Sequence, residues 1–226
     1  FAVRLALAGH DVSVIARGDH LAAIKTSGLT LNAGNEKLRA KIAASDTPAD
    51  LGKQDVVLIG AKATGLKAIA PHLAPLVSPE TCVVFPQNGM PWWYPVELPP
   101  HLPAPPSLPT FDLGSDMLGL LRPEQILSGV IYSANEIEAP GVIKNNSPKF
   151  NCLDIGAISA APSPRLKDLR EQLNKAGLQS RKVPDSRAAV WSKLIVNISA
   201  SMIGLVTRSP SSVSRSSKTL ETVFTR

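Results

Sequence analysis

The chain has 226 residues, 44% of them hydrophobic, with a mean hydropathy of +0.07, so it has room for one large or two modest domains and fits no disordered class. No apolar run approaches the roughly 18–20 residues of a membrane span, and no charged stretch with a hydrophobic core and cleavage site opens the sequence; neither a membrane partner nor export is expected, and the expected location is cytoplasmic. Half of the +6 net charge falls in the last 19 residues, where Arg208, Arg215, Lys218 and Arg226 face Glu221 alone, and aromatics at 4% offer no stacking platform, so nucleic acid is not an expected partner.

Phe1 to Ala8 is predicted as a helix packed closely on a sheet, with Gly9 as its left-handed cap and Asp11–Ala16 as a buried strand. This is the second half of a βαβ unit, whose first strand and glycine-rich turn are expected immediately before Phe1. Arg17 stands at the carboxyl end of that strand, where dinucleotide-binding folds face the adenosine ribose. A guanidinium there suits a 2′-phosphate, and a solvated turn residue is the equal alternative. His10 and His20 read as turn residues with no metal partner at useful spacing, and no metal site is expected.

A helix is predicted over His20–Ser27, then a hairpin of Leu29–Leu31 with Leu38–Ala43 around Ala33-Gly34-Asn35. Asp55–Gly60 reads as a fully buried strand followed by Lys62, Ala63–Leu76 as a helix, and Thr81–Phe85 as another buried strand ending in Pro86-Gln87-Asn88-Gly89-Met90. Two successive strands thus present polar residues at the end where open α/β sheets bind ligands, although Asn88-Gly89 also suits a simple turn. Cys82 and Cys152 are too far apart for a CxxC site and read as reduced core residues, with a disulfide as the minor alternative.

Eight prolines between Pro91 and Pro109 exclude a helix or central strand, and Trp92, Trp93 and Tyr94 make this a surface-hugging loop with aromatic anchors. A structural insertion is the expected role, a lid over a cofactor cleft the alternative. Strands resume at Gly129–Ser133 and Gly141–Lys144, joined by Asn135–Pro140, with a further strand over Phe150–Ile155. Arg165–Ala176 is predicted as an amphipathic helix burying Leu166, Leu169 and Leu173, ended by Gly177, and Leu178–Val183 as a last strand before a domain boundary at Pro184.

Ser186 to Thr207 carries Leu194, Ile198, Met202 and Leu205 at helical spacing, with Lys193, Asn197 and Ser201 aligned at steps of four beside them. Taken alone, Lys193 reads as a snorkelling edge lysine; pointing into a cleft, it would be chemically active.

In their order and spacing these segments resemble the ketopantoate reductases (2-dehydropantoate 2-reductases), NADPH-dependent enzymes with a Rossmann domain and a C-terminal helical domain. The resemblance covers Phe1 to about Pro210 and rests on RLALAGHDVSVIAR, Lys62, the QNGM turn, GVIYSANEIEAPGVIK and WSKLIVN. It implies an α/β, Rossmann-like, mostly parallel sheet domain over residues 1–184, incomplete at its first strand, and the start of an all-α domain over 185–226. It further implies Lys193 as proton donor, Asn197 as a substrate residue, Lys62 and Asn88 at the nicotinamide end of the cofactor, and Asn135 near a cofactor-contacting position. Arg17 joins them as the residue for the NADPH 2′-phosphate, and Ser201 replaces a family asparagine on the substrate side.

The expected activity is NADPH-dependent reduction of a 2-oxo acid, 2-dehydropantoate to pantoate, in pantothenate biosynthesis. A homodimer is a compatible assembly. Six serines between Ser209 and Ser217 suggest a disordered tail and a fragment or frame change near Ser212, so a non-catalytic NADP-binding module of the same fold is the alternative.

Overall fold

Ten strands and six α-helices build the described part of the protein, residues 1–207, in the computed structural model; the serine-rich stretch from Ser209 lies outside the described residues. The chain separates into two compact units, Phe1–Ser186 and a second from Arg187 onward.

The centre of the first unit is the sheet ordered β10-β7-β6-β5. Strands β5 (Val56–Leu58), β6 (Cys82–Phe85) and β7 (Ile126–Tyr132) run parallel, and β10 (Cys152–Ala157) closes the edge antiparallel to β7. Every residue of β6 is buried, as a β-branched and aromatic run in a central parallel strand requires. Helix α5 (Arg165–Lys175) lays Leu173 against Cys82, Val84, Leu153 and Ile155, with Leu166 and Leu169 partly buried beside them, as its spacing predicts. Gly177 follows in the left-handed region (φ 72°).

A second sheet, ordered β3-β2-β9-β8, joins the hairpin of β2 (Leu29–Ala33) and β3 (Glu36–Ala40) to β8 (Asn135–Ala139) and β9 (Val142–Asn145) through a parallel β2–β9 ladder. Its core, including Leu29, Leu31 and Ala33, packs with Val3 of α1 (Ala2–Leu7) and Ile24 of α2 (Gly18–Ser27). Gly9, at φ 91°, ends α1 as predicted. β1 (Ser13–Ile15) pairs in parallel with β4 (Ala43–Ser45). The mostly parallel, Rossmann-like α/β architecture read from the sequence is the one observed.

Several elements differ from expectation, each for a local reason. The strands around Val14 and Val57 are not fully buried: each has one ladder neighbour among the described residues, leaving Ile15 43% and Leu58 38% exposed. The predicted helix Ala63–Leu76 is instead α3 (Leu66–Ile69) flanked by single 3₁₀ turns over 63–65, 70–72 and 74–76. Pro71 and Pro75 cannot donate to a continuous α-helical ladder. Asn135–Ala139, read as a connection, is strand β8, and Ala43–Ser45 is a separate strand rather than the end of β3. The short helix α4 (Leu113–Leu118), beyond the proline-rich loop, has no counterpart among the predicted elements.

Leu178–Val183 makes only isolated bridges to β10, at Gln179 and Lys182. Side chains take its intervening amides: Asn174 Oδ1 accepts from Ser180 N–H at 3.0 Å, and Asp154 Oδ1 from Arg181 N–H at 2.8 Å. The Asp154 carboxylate, nine-tenths buried, also receives Arg181 Nε at 3.1 and 3.0 Å and the Cys152 thiol at 3.2 Å. Burial pushes this carboxyl up, but the hydrogen bonds from the Arg181 guanidinium and backbone, the Cys152 bond and the Arg181 charge outweigh it and hold its pKa below the ordinary value.

A carboxylate with a depressed folded pKa contributes stability in full above its unfolded pKa of about 4 and loses it as pH falls further. Asp154→Asn is therefore expected to cost about 1–2 kcal/mol at pH 7, the guanidinium being largely solvent-exposed and screened. Urea midpoints at pH 7 and pH 3 check this: the gap between variant and wild type should narrow at pH 3, and a gap independent of pH would refute the ionic origin. Cys82 and Cys152 are both free and buried, so no disulfide joins them, and burial raises both thiols, Cys152 to about 11.

Candidate functional site

The parallel strands β5 and β6 bring two of the sequence-predicted residues, Lys62 and Asn88, to one end of one sheet, whereas Asn135 is the first residue of β8 in the second sheet, β7 running four residues past Ser128, where its pairing with β6 ends. Lys62 stands four residues past the end of β5, Asn88 three past β6, and Asn135 three past β7, and all three are exposed. The end that carries Lys62 and Asn88 is the carboxyl edge, where side chains and backbone groups leave the ladder free to meet a ligand. Lys62 adopts an extended backbone (φ −65°, ψ 154°), and its carbonyl accepts Gly65 N–H at 2.9 Å, so the lysine opens a tight turn rather than a long helix.

The turn after β6 is held from several sides. Gln87 donates its amide hydrogens to the carbonyls of Ile59 and Ala61 at 2.7 and 3.0 Å, linking the segment before Lys62 to the segment carrying Asn88. Gly89 has φ 93°, which a side chain would oppose. Beneath it, a Cβ on Gly129 of β7 would approach Pro86 Cβ to 2.9 Å, so the glycine lets the turn lie against the strand. Sequence reading missed the role of Gln87; the signal was present, a carboxamide two residues after a buried strand and directly before Asn88.

Asn135 is fixed through a chain of amides and hydroxyls. Its Nδ2 donates to Ser133 Oγ at 2.9 Å, and Ser133 Oγ donates to Asn151 Oδ1 at 2.7 Å, an oxygen that Asn145 Nδ2 also reaches. Ala134 N–H donates to Ser147 Oγ at 2.9 Å. The strand end is therefore ordered by buried polar contacts, with Asn145 and Asn151 both under 9% exposed.

Arg17 follows β1, in the separate two-stranded sheet, and is the residue preceding α2; it is exposed. His20, read as a plain turn residue, instead ties α2 to the turn between β8 and β9, its Nδ1 accepting Gly141 N–H at 3.0 Å.

Lys193, Asn197 and Ser201 lie on α6 (Ser186–Thr207), which coincides with the predicted segment. Four-residue spacing aligns them along one face of the helix, Lys193 and Asn197 half-buried and Ser201 exposed. They belong to the second compact unit, whereas Ser186, the first residue of α6, belongs to the first. Its buried Oγ donates to Ala157 O at 2.6 Å and accepts from Ser128 Oγ at 2.8 Å, and a Cβ on Gly156 would overlap it.

Chemically, the sheet edge offers a cation and neutral hydrogen-bonding groups on short, braced turns, suited to a polar ligand with anionic and amide parts. Among the described residues no group of three His, Cys, Asp or Glu could hold a metal ion, and no helix is long and apolar enough to cross a membrane.

Comparison with known proteins agrees with the fold. The profile of the family described as ketopantoate reductase PanE/ApbA matches residues 1–108. A 2-dehydropantoate 2-reductase of Mesorhizobium japonicum is 36% identical over 209 residues, 92% of this chain and 63% of that relative, so the chain spans just under two thirds of the relative's length. The crystal structure of a candidate ketopantoate reductase from Ralstonia solanacearum MolK2 superposes with a TM-score of 0.81 at 31% identity, covering 92% of this chain and 64% of that one. A D-mandelate dehydrogenase solved with NADH and anilino(oxo)acetate shares the fold, with a TM-score of 0.70 at 19% identity over 90% of this chain and 58% of that one. In sequence and in fold, the chain is similar to the ketopantoate reductases of the PanE/ApbA family.

Proposed function

We propose that this polypeptide carries the nucleotide-binding sheet and the catalytic helix of an NADPH-dependent 2-oxo acid reductase acting on 2-dehydropantoate in the cytoplasm. The observation that carries the reading is the delivery of Lys62 and Asn88 by the adjacent parallel strands β5 and β6 to one sheet edge. Similarity to the ketopantoate reductases supports it, as does the name of the M. japonicum relative.

Lys62 and Asn88 would hold the nicotinamide end of the cofactor, and the backbone near Asn135 would add a contact. Arg17 would take the 2′-phosphate of NADPH through charge-assisted hydrogen bonds, which an acidic residue at that position would repel. When bound, the cofactor supplies hydride to the substrate carbonyl. Negative charge then develops on the carbonyl oxygen, where the Lys193 ammonium stabilises it and delivers the proton. Asn197, one helical turn on, and Ser201, two turns on, would orient the substrate by neutral hydrogen bonds.

A second reading, a dinucleotide-binding module without turnover, is favoured by one feature: Lys193, Asn197 and Ser201 fall in a different compact unit from the strand ends, so binding and chemistry are separable. Titration with NADPH, followed by nicotinamide fluorescence, should show saturable binding by this chain, and Arg17→Glu should weaken it about tenfold or more while affecting NADH less. Absence of saturable binding refutes the cofactor assignment. Binding without reduction of 2-dehydropantoate selects the module reading.

A further inference from the structure

We infer that Gln87 is a positioning residue that sets Lys62 and Asn88 in place for the dinucleotide; this rests on the cofactor reading above. The parallel β5–β6 ladder continues one residue past β5, where Ile59 N–H donates to Val84 O at 3.1 Å. Beyond that point the backbone ladder ends and the Gln87 side chain takes over. Its single NH₂ group donates to Ile59 O at 2.7 Å and to Ala61 O at 3.0 Å, two carbonyls on either side of Gly60. Only a primary amide places two neutral donors on one planar nitrogen at this reach, without the charge a lysine would bring.

The consequence for Lys62 is specific. The carbonyl before it is held by Gln87, and its own carbonyl is held by Gly65 N–H at 2.9 Å, so the lysine backbone is pinned on both sides. Asn88 is the next residue after Gln87, so the same side chain sets the separation between the two turns. Pro86, on the other side of Gln87, rests on Gly129, where any Cβ would come within 2.9–3.0 Å of it. A shift at the strand end therefore moves both cofactor-facing residues together.

The test compares wild type with Gln87→Met, which keeps length but offers no donor, and Gln87→Glu, which keeps shape but presents only acceptors to the two carbonyls at neutral pH. NADPH affinity should fall about tenfold in each, as expected from losing two neutral hydrogen bonds of which part is regained from water. Hydrogen exchange should rise in residues 59–65 and 87–90, with the thermal midpoint lowered by only a few degrees. Because Gln87 acts through Lys62, the Lys62→Met/Gln87→Met double variant should bind NADPH more tightly than the product of the single losses implies.

Unchanged affinity in both Gln87 variants, strictly multiplicative losses, or collapse of the folded signal in both variants would each overturn the proposal in favour of a purely structural side chain. Failure of the wild-type chain to bind NADPH would overturn the cofactor reading and this inference with it. Wild-type binding that the Gln87 variants leave intact overturns this inference alone.

Discussion

Replacing Lys193 with alanine is expected to lower the rate of 2-oxo acid reduction by a factor of about 10²–10⁴, the usual contribution of a positioned general acid, with NADPH affinity within about twofold of wild type. The split follows from where the residues sit. Lys193 lies on α6 in the second unit, whereas the proposed cofactor residues Lys62, Asn88 and Asn135 follow strands of the first. With Lys193 in the proposed role, removing the ammonium would leave developing negative charge on the substrate oxygen without a counterion or proton source, a loss felt in the transition state and hardly in the ground state. Single-turnover kinetics alongside nicotinamide fluorescence titration separate the two quantities. Retained turnover would eliminate Lys193 as proton donor; a matched loss of NADPH binding would recast it as a cofactor residue.

The largest stability effect is expected at Trp92. Both Trp92 and Trp93 are 1% exposed, and the Trp92 ring meets Phe85 edge-on with centroids 5.2 Å apart. Trp92→Ala should cost about 3–5 kcal/mol, the range for removing a buried aromatic and leaving a cavity. Its Nε1, like that of Trp93, is buried without a hydrogen-bond partner among the described residues, so Trp92→Phe gives up ring volume but removes such a donor and should cost distinctly less than alanine. Chemical denaturation of the two variants tests the order; equal losses would show that ring packing is not what the loop contributes. Phe85 is the last residue of β6, two before Gln87, so loosening Trp92 should also weaken NADPH binding. The proline-rich segment thus joins the core of the sheet through its tryptophans, in keeping with a structural insertion.

The local pattern in the sequence was sufficient wherever one short-range rule dominated. Gly9 and Gly177 ended helices at the positions where positive φ was anticipated. The buried run Thr81–Phe85 became the fully buried strand β6, and the period of Leu166, Leu169 and Leu173 placed the inner face of α5. The eight prolines excluded regular structure between Pro91 and Pro109. The bounds of α6 were legible as well, together with the alignment of Lys193, Asn197 and Ser201, because a 3.6-residue period fixes which side chains share a face.

Partnerships between distant segments were not legible, because they depend on which strand becomes whose neighbour. β4, three small residues, has no hydrophobic period and is a strand only because β1 lies alongside it. The exposure of Ile15 and Leu58 follows from one-sided pairing rather than from composition. Asp154 and Arg181, 27 residues apart, replace ladder bonds that a strand over Leu178–Val183 would have made. Gln87 shows the same limit at the candidate site: its neighbours in sequence marked a turn, but its two acceptors, Ile59 and Ala61, are more than 25 residues away. Sequence by itself determined those elements that local periodicity or backbone conformation fixes, such as β6, α5 and α6, and the chemical groups available at strand ends. Only the tertiary structure decided which of those groups share an edge and what braces them, since hydrogen bonds between remote segments exist only once the sheet has brought them together.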